Sequence, residues 1–510
     1  MGQGLSTQQL SGDQLHSLHQ DIQVPAYDRS QIKTGIVHIG PSAFFRGHLA
    51  VYIDDLLEQG EKDWGICAVS LKSSGVRDAL QAQDNLYTVV EQSNQGNRAR
   101  VIGSINKVLV AKEGPQAVLD QMASPDTKLV TLTVTQSGYY YKNGELDFDD
   151  DDIKADLLRA DEPTSTVGYI VKALEMRMER GLPPFTVMSC DNLPGNGTIL
   201  RNVVLAYAGK RSEALKDWIS DNVEFPSTMV DRIVPKTTSE HIQAHADSYG
   251  LSDAWPIYTE KFRQFVIEKP KNGTLVPDFA RVGALVADDV APFELMKIRL
   301  LNGTHMALGM VGRMAGHAYA HEAITAPKIR GYITDLMSEM TATLHPVPGV
   351  NLDAYKDTIF DRLGSPFMKD DLARLARNGV DKVDSRFLQP LRDAISRKSG
   401  STNLIFAVAS WAEYLKRSGP NFDILDAKAL DKNLPDEARK GGDSCSLIVE
   451  NKGIFGQELA ASPIMSEGFE RHMKAICQNP TDIVQALPSQ QPVSVPATGK
   501  KPRGPAPTNP

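Results

Sequence analysis

From residue 35 onward the sequence alternates short apolar runs with longer stretches of helical period, and this alternation constrains the fold more than any other feature. Residues 35–40 (Gly-Ile-Val-His-Ile-Gly) have the pattern of a buried strand, 43–58 of a helix, 64–71 of a second strand and 128–135 of a third. An amphipathic helix over 165–180 follows, then a strand over 185–190 that ends at Asp191-Asn192, and a further strand over 227–234. Strands separated by helices of this length run mostly parallel, because only a crossover connection returns the chain to the same edge, and such a sheet is covered on both faces. The strand pattern stops at about Asp288. Beyond it, residues 292–316, 332–345, 370–378, 387–397 and 403–417 are helical by period and composition, so the expected fold class is α/β followed by a nearly all-α half.

A chain of 510 residues holds two or three domains with sizeable cores. Its 55 Lys and Arg are outnumbered by 63 Asp and Glu and form no long basic block, which argues against nucleic acid as a partner. No apolar run reaches membrane-spanning length, and residues 1–27 have neither the cationic start nor the apolar core of a secretion signal. The expectation is a cytoplasmic protein with no membrane partner. The four cysteines include no C-x-x-C pair, so reduced thiols are expected, with neither a disulfide framework nor a cysteine zinc site. Gly2 with Ser6 fits the loose myristoylation pattern, but no basic cluster follows to complete an anchor, and a plain flexible start is expected. The sequons at Asn196, Asn272 and Asn302 matter only in a secreted chain. The acidic run Asp147 to Asp152, after an Asn143-Gly144 turn signal, lacks calcium-loop spacing and is expected to be a solvated loop. The Pro-rich segment 491–510 is expected to be a disordered tail. No internal repeat is present.

The first strand runs into Gly40-Pro41-Ser42-Ala43-Phe44-Phe45-Arg46-Gly47-His48, where an α/β sheet places a phosphate at a helix N-terminus. The glycines are sparse for a dinucleotide fingerprint, and by itself the loop suits an ordinary strand-to-helix turn better. After Leu71, where a carboxylate normally grips the adenosine ribose, stand Lys72, Ser73 and Ser74, with no acid before Asp78. Cations and hydroxyls there lean toward NADP without excluding NAD, and a solvated basic loop is the plain alternative.

The stretch from Val290 to His305 is the richest chemically. With Glu294 at 0° and about 100° per residue, Lys297 falls at about 300°, Asn302 at about 80° and His305 at about 20°, one arc of about 140°. Such a stripe is commonly a solvent face. Here Asn302-Gly303 is poor helix chemistry unless something approaches closely, and Asn192 supplies a second amide at a strand end. Asparagine, lysine and histidine together can handle an alcohol's proton without metal.

Four ordered motifs, G-I-V-H-I-G-x-x-x-F-x-R-x-H (35–48), F-T-V-M-S-C-D-N (185–192), M-V-D-R-I-V-P (229–235) and K-x-x-x-x-N-G-x-H (297–305), resemble the polyol-specific long-chain dehydrogenase/reductase family from about residue 35 to 480. The resemblance implies a Rossmann-type dinucleotide-binding domain over 1–285 and a helical substrate domain over 286–490, with the active site in the cleft between them. It implies a monomer with NAD or NADP and no metal, interconverting a sugar alcohol and its ketose, mannitol and fructose first.

By position, Lys297 would be the general base, made usefully neutral by burial. Asn192 and Asn302 would stabilise the alkoxide, His305 would orient the substrate and Glu294 would relay protons. Asp231 would contact substrate or nicotinamide ribose, and Arg374 and Lys382 the far hydroxyls, with Arg377 an alternative register for the arginine. Cofactor contacts would fall on Ile39, Gly40, Ser42, Phe44, Arg46, Lys72, Ser74, Gln136 and Asn192. The sequence departs from the family at Pro41, Ser42, Ala43 and Phe45 of the first loop and at Gln136, an amide where the family has a carboxylate; both changes bear on cofactor affinity. A hexuronate reductase, an arabinitol dehydrogenase and a cofactor-sensing protein without turnover are the competing expectations.

Overall fold

The computed structural model describes residues 8–93, 95–142, 144–271 and 275–488. Gly2, Asn143, the Asn272 sequon and the Pro-rich tail lie outside the described residues. By compactness the chain divides into two units: one runs to Lys297 and takes in His345–Lys369 as well, and the other comprises Ile298–Leu344 and the chain from Asp370 onward.

The first unit is built on five parallel strands, β1 (Thr34–Ile39), β2 (Gly65–Ser70), β3 (Ile105–Val110), β4 (Leu129–Leu132) and β5 (Thr186–Ser189), in the order β5-β4-β1-β2-β3. Alternation along each strand sends Val37, Ile39, Cys67, Val69, Val130 and Leu132 into one core and Ile36, Ile66, Ala68 and Leu129 into the other. Burial on both faces is why these strands are continuous apolar runs in the sequence. The exception is β3, which the apolar pattern does not reveal. It is an edge strand whose Asn106 and Lys107 are not buried. Strand order reverses at β1, so the crevice beyond the carboxyl ends of β1 and β4 is the topological switch point of the sheet.

The sheet is not the whole of this unit. The strand expected over 227–234 is Thr228–Asp231, and it pairs antiparallel with Gln264–Glu268, which pairs in turn with Leu285–Ala287. A second mixed sheet joins Ile257–Glu260, Tyr87–Gln92, Arg98–Ile102 and Ile22–Gln23. The helix expected over 43–58 is two, Ala43–Gly47 and Leu49–Glu58, broken at His48 with φ −125° and ψ −88°. The cause is distant in sequence: Arg232 Nη1 takes the Gly47 carbonyl at 2.6 Å, and His48 Nε2 pairs with the Gln264 carbonyl at 2.9 Å. The acidic run is a loop only in part. Asp150 caps a helix over Asp151–Leu158 by accepting from the Asp152 N–H, and the acids of its first turn complement the helix dipole.

In the second unit, Thr402–Lys416 is apolar all round because it is the central helix, with every residue from Leu404 to Leu415 buried. Helices Thr304–Met314, Pro327–Ala342, Leu434–Lys440 and Pro463–Gln478 surround it. The helix expected over 370–378 is the short Leu372–Ala376, which ends ahead of a left-handed Asn378. No helix among the described residues is long and apolar enough to cross a membrane.

Candidate functional site

The cofactor residues expected from the sequence gather at the carboxyl edge of the parallel sheet. Gly40 follows β1 at φ +90°, and a Cβ there would lie 2.3 Å from the Thr133 carbonyl oxygen beyond β4, so the turn from β1 into the next helix admits only glycine. Thr133 Oγ1 ties the turn by donating to the Gly40 carbonyl at 2.7 Å. Ser42 is exposed and caps the next helix by accepting from the Phe45 N–H at 3.2 Å. The serine that departs from the family pattern therefore serves as a helix cap. Lys72 and Ser74 follow β2, Gln136 follows β4 and Asn192 follows β5. Lys72 is exposed with Asp152 at 3.8 Å, and Ser74 is hydrogen-bonded to Asp78, whose carboxyl it holds below its usual range.

Three of the expected cofactor residues have side chains wholly or partly buried. Ile39 is fully buried within the sheet. Phe44 is half-buried and stacks on His48, with ring centroids 5.0 Å apart. Arg46 was expected to meet phosphate, yet it is 1% exposed, with its guanidinium 4.9 Å from the Trp255 ring and 5.7 Å from that of Tyr87 and donating to the Trp255 carbonyl at 3.3 Å. His38 is equally interior: it bonds Thr131, Thr133 and the Gly40 carbonyl, and burial lowers its pKa to about 3. The conspicuous polar residues of the 35–48 motif thus line the core beneath the loop.

The loop after β4 depends on a residue that sequence reasoning passed over. Thr135 adopts φ +63°, unusual for a β-branched residue. The Asp191 carboxylate holds it there, accepting from Val134 N–H at 3.0 Å, Thr135 N–H at 2.9 Å and the Tyr139 hydroxyl at 2.8 Å. Gln136 opens the short turn that follows and is exposed. Asp191 directly precedes Asn192 at the end of β5, where a strand-end carboxylate is the signal for such a role.

Lys297 ends the first unit's share of the helical stretch and is 5% exposed. Its ammonium nitrogen lies 2.9 Å from Asn192 Oδ1 and also donates to the Val230 carbonyl, so the expected base and one expected amide are in direct contact. With its oxygen facing Lys297, the Asn192 side chain keeps its amide protons for donation. Glu294 is half-buried and accepts from the Gly195 N–H at 3.0 Å and 3.2 Å. Burial raises its pKa above the ordinary carboxyl range, against the lowering effect of that hydrogen bond. Asp231 differs from expectation: both of its oxygens go to Arg362, at 2.6 Å and 3.2 Å, and Arg362 also grips Glu260 at 2.8 Å through two of its nitrogens.

The uniform helical arithmetic applied to residues 294–305 does not hold. Lys297–Gly303 is a π-helix between Ala291–Met296 and Thr304–Met314. A π turn bonds residues five apart rather than four, which shifts the side chains of this stretch relative to an α-helix. In the second unit Asn302 and His305 are half-buried. The close approach that Asn302-Gly303 signalled is present: a Cβ on Gly303 would meet Met340 Cε at 2.8 Å and the Arg386 carbonyl at 3.4 Å. Arg374 is exposed and paired with Asp370, while Lys382 is half-buried and donates to the Arg377 carbonyl at 2.5 Å. Burial, then the charges of Arg386 and Arg377, lower the Lys382 pKa to about 8. Arg386 had not been singled out in the sequence. Among the described residues no group of three or more His, Cys, Asp or Glu side chains is arranged to hold a metal ion.

A parallel sheet with glycine and hydroxyl donors at its switch point, continuing into a lysine-bearing helix, defines a dinucleotide-dependent oxidoreductase of two units. The family models for the mannitol dehydrogenase Rossmann domain and the mannitol dehydrogenase C-terminal domain match residues 34–278 and 289–477. A mannitol 2-dehydrogenase of Neosartorya fischeri is 40% identical over 480 residues, covering 91% of this chain and 93% of that one. The solved ternary complex of Pseudomonas fluorescens mannitol 2-dehydrogenase with NAD and D-mannitol is 36% identical, with TM-score 0.80 over 94% of this chain and 99% of that one. A substrate-free D-sorbitol dehydrogenase structure is 31% identical, with TM-score 0.87 over 94% of this chain and 100% of that one. The chain belongs to the mannitol dehydrogenase family, among the polyol-specific long-chain dehydrogenases.

Proposed function

We propose that this protein oxidises a sugar alcohol to a ketose, D-mannitol to fructose and the reverse, with NAD or NADP and without zinc, as a cytoplasmic monomer. The observation that carries the reading is the buried Lys297 amine held between Asn192 and the Val230 carbonyl. The solved relative with NAD and D-mannitol supports it. The cofactor suits the carboxyl edge described above, where the open Gly40 turn, the exposed Ser42, Lys72 and Gln136, and Ser74 would hold it. Once bound, the nicotinamide supplies the acceptor for the carbinol hydride. Lys297 takes the hydroxyl proton, and the amides of Asn192 and Asn302 donate to the oxygen as negative charge develops on it. Glu294, whose pKa burial raises, passes that proton to solvent. His305 orients the polyol chain, and Arg374 and Lys382 bind its far hydroxyls.

One observation favours a second reading. Arg386, Arg377 and Arg374 all act electrostatically on Lys382 against the opposing charge of Asp426, an excess of cations that suits a substrate carboxylate and therefore a hexuronate. The test is loss of nicotinamide absorbance with fructose, then fructuronate, then ribulose, using NADH and NADPH separately. Turnover with fructose above the others is expected. Cofactor binding with no turnover of any pair refutes the enzyme reading. Lys297→Ala is expected to lower alcohol oxidation at least about a hundredfold, and a near-native rate refutes the base assignment.

A further inference from the structure

We propose that Arg362 is a positioning residue for the reaction: by binding Asp231 and Glu260 together, it fixes the backbone carbonyl on which Lys297 docks and sets the charge around that lysine. The inference rests on Lys297 acting as the base. Arg362 lies on the helix Leu352–Leu363, within the 345–369 segment that the chain returns to the first unit. Its Nη1 and Nη2 bind the two oxygens of Asp231 at 2.6 Å and 3.2 Å, while Nε and Nη2 bind those of Glu260 at 2.8 Å each. The guanidinium carbon stands 4.3 Å from the centroid of the Phe262 ring, and the whole residue is buried.

The two carboxylates are attached to the stretch that serves Lys297. Asp231 directly follows Val230, whose carbonyl accepts from the lysine amine. Glu260 reaches the same stretch from the other side, its Oε1 accepting from the Ile233 N–H at 2.6 Å and its backbone carbonyl accepting from Arg232 Nε at 3.1 Å. Residues 230–233 are therefore held at every position, and Arg362 closes the arrangement. Arg362 faces both buried carboxylates, while Arg232, paired with Glu91 at 2.5 Å, also acts on Glu260, so a cluster of charges stands one residue from the carbonyl on which the lysine docks. Glu294, one turn before Lys297 on the same helix, acts electrostatically with it, and Asp289 and Glu268 act on Glu294 in turn. Removing the guanidinium takes one positive charge from this cluster, and the more negative surroundings hold the lysine's proton more tightly. Removing the charge of Glu260 does the opposite.

The experiment is alcohol oxidation by the full-length enzyme as a function of pH, with native, Arg362→Gln, Arg362→Lys, Glu260→Gln and Lys297→Ala chains. The acid limb of the native profile reports loss of the proton from the base. In Arg362→Gln the limb is expected to move up by about one pH unit. The plateau kcat is expected to fall at least about tenfold with the cofactor KM within about twofold of native, and Arg362→Lys is expected to return the limb toward its native position. In Glu260→Gln the limb is expected to move to lower pH. Opposite displacement of the two limbs is what a merely structural role does not produce. Limbs that coincide with native, or that move in the same direction, overturn the proposal. If Arg362→Gln does not fold, Glu260→Gln decides alone: a lowered limb supports the proposal and an unmoved one overturns it. A native-like rate and limb in Lys297→Ala sinks the base assignment itself. Loss of rate there beside an unmoved limb in Glu260→Gln sinks only the role given to Arg362.

Discussion

Replacing Asp191 tests whether the loop after β4 is held by that one carboxylate. Asp191→Ala removes an acceptor from two backbone N–H groups and from the Tyr139 hydroxyl. Hydrogen bonds to a charged group contribute about 1.5–3 kcal/mol each, but here they do not add in full. Thr135 is exposed and Val134 half-buried, so water reaches their N–H groups, and the Tyr139 hydroxyl retains Ser189 as a partner. The net loss expected in urea unfolding of the full chain is therefore about 2–4 kcal/mol. The same carboxylate holds Thr135 at positive φ, a conformation that costs on the order of 1–3 kcal/mol when nothing imposes it. Without Asp191 the residue relaxes to negative φ and carries Gln136 away from the sheet edge, so NADH affinity in a fluorescence titration falls about tenfold. Asp191→Asn restores one acceptor but faces the loop with an amide donor, and falls between the two. A stability within about 0.5 kcal/mol of native together with unchanged NADH affinity in Asp191→Ala would refute the reasoning.

Gly40→Ala places a methyl against the Thr133 carbonyl in a left-handed turn, and is expected to lower stability by about 2–4 kcal/mol and to weaken cofactor binding; a native melting temperature with unchanged NADH affinity contradicts this. Because the folded pKa of Lys382, about 8, lies below its unfolded value of about 10.4, the folded chain binds fewer protons in between, and stability rises with pH across that window. Urea titrations between pH 8 and 10.4 are expected to show this slope in the native chain and to show it reduced in Lys382→Met; equal slopes refute it. Exhaustive chelation is expected to leave the oxidation rate unchanged, and a loss restored by added zinc contradicts the metal-free reading.

The strands that the sequence revealed are those buried on both faces, β1, β2, β4 and β5, because a two-sided core demands continuous apolar residues. The edge strand β3 keeps Asn106 and Lys107 out of the core and lost that signature. The break at His48 could not be read locally, since the side chain that takes the Gly47 carbonyl lies 185 residues downstream. The π-helix escaped because a window of apolar and polar residues constrains a period near 3.6 and is silent on one inserted residue. In the site, Lys297, Asn192 and Glu294 were legible as residue types chemistry needs, and Lys297 and Asn192 do meet. Arg46, a cation beside a nucleotide loop that invites a phosphate, is instead buried against the rings of Tyr87 and Trp255, contacts that its local sequence does not announce. Arg362 had no motif to announce it: both of its carboxylate partners lie more than a hundred residues upstream.

That separation has a consequence for synthesis. Glu260 leaves the ribosome 102 residues ahead of Arg362, an interval of roughly 5–20 s at ordinary elongation rates. Throughout it the nascent nucleotide unit carries two carboxylates destined for burial while the guanidinium that binds both has yet to be made, so its compact state cannot be completed in the order of translation. Release of the chain at residue 285 would yield a polypeptide with every strand of the parallel sheet and still no means of closing the ground beneath Val230. The nascent unit must wait for the chain to travel through Ile298–Leu344 and come back, which makes this stretch of elongation the period when chaperone capture and aggregation compete with folding.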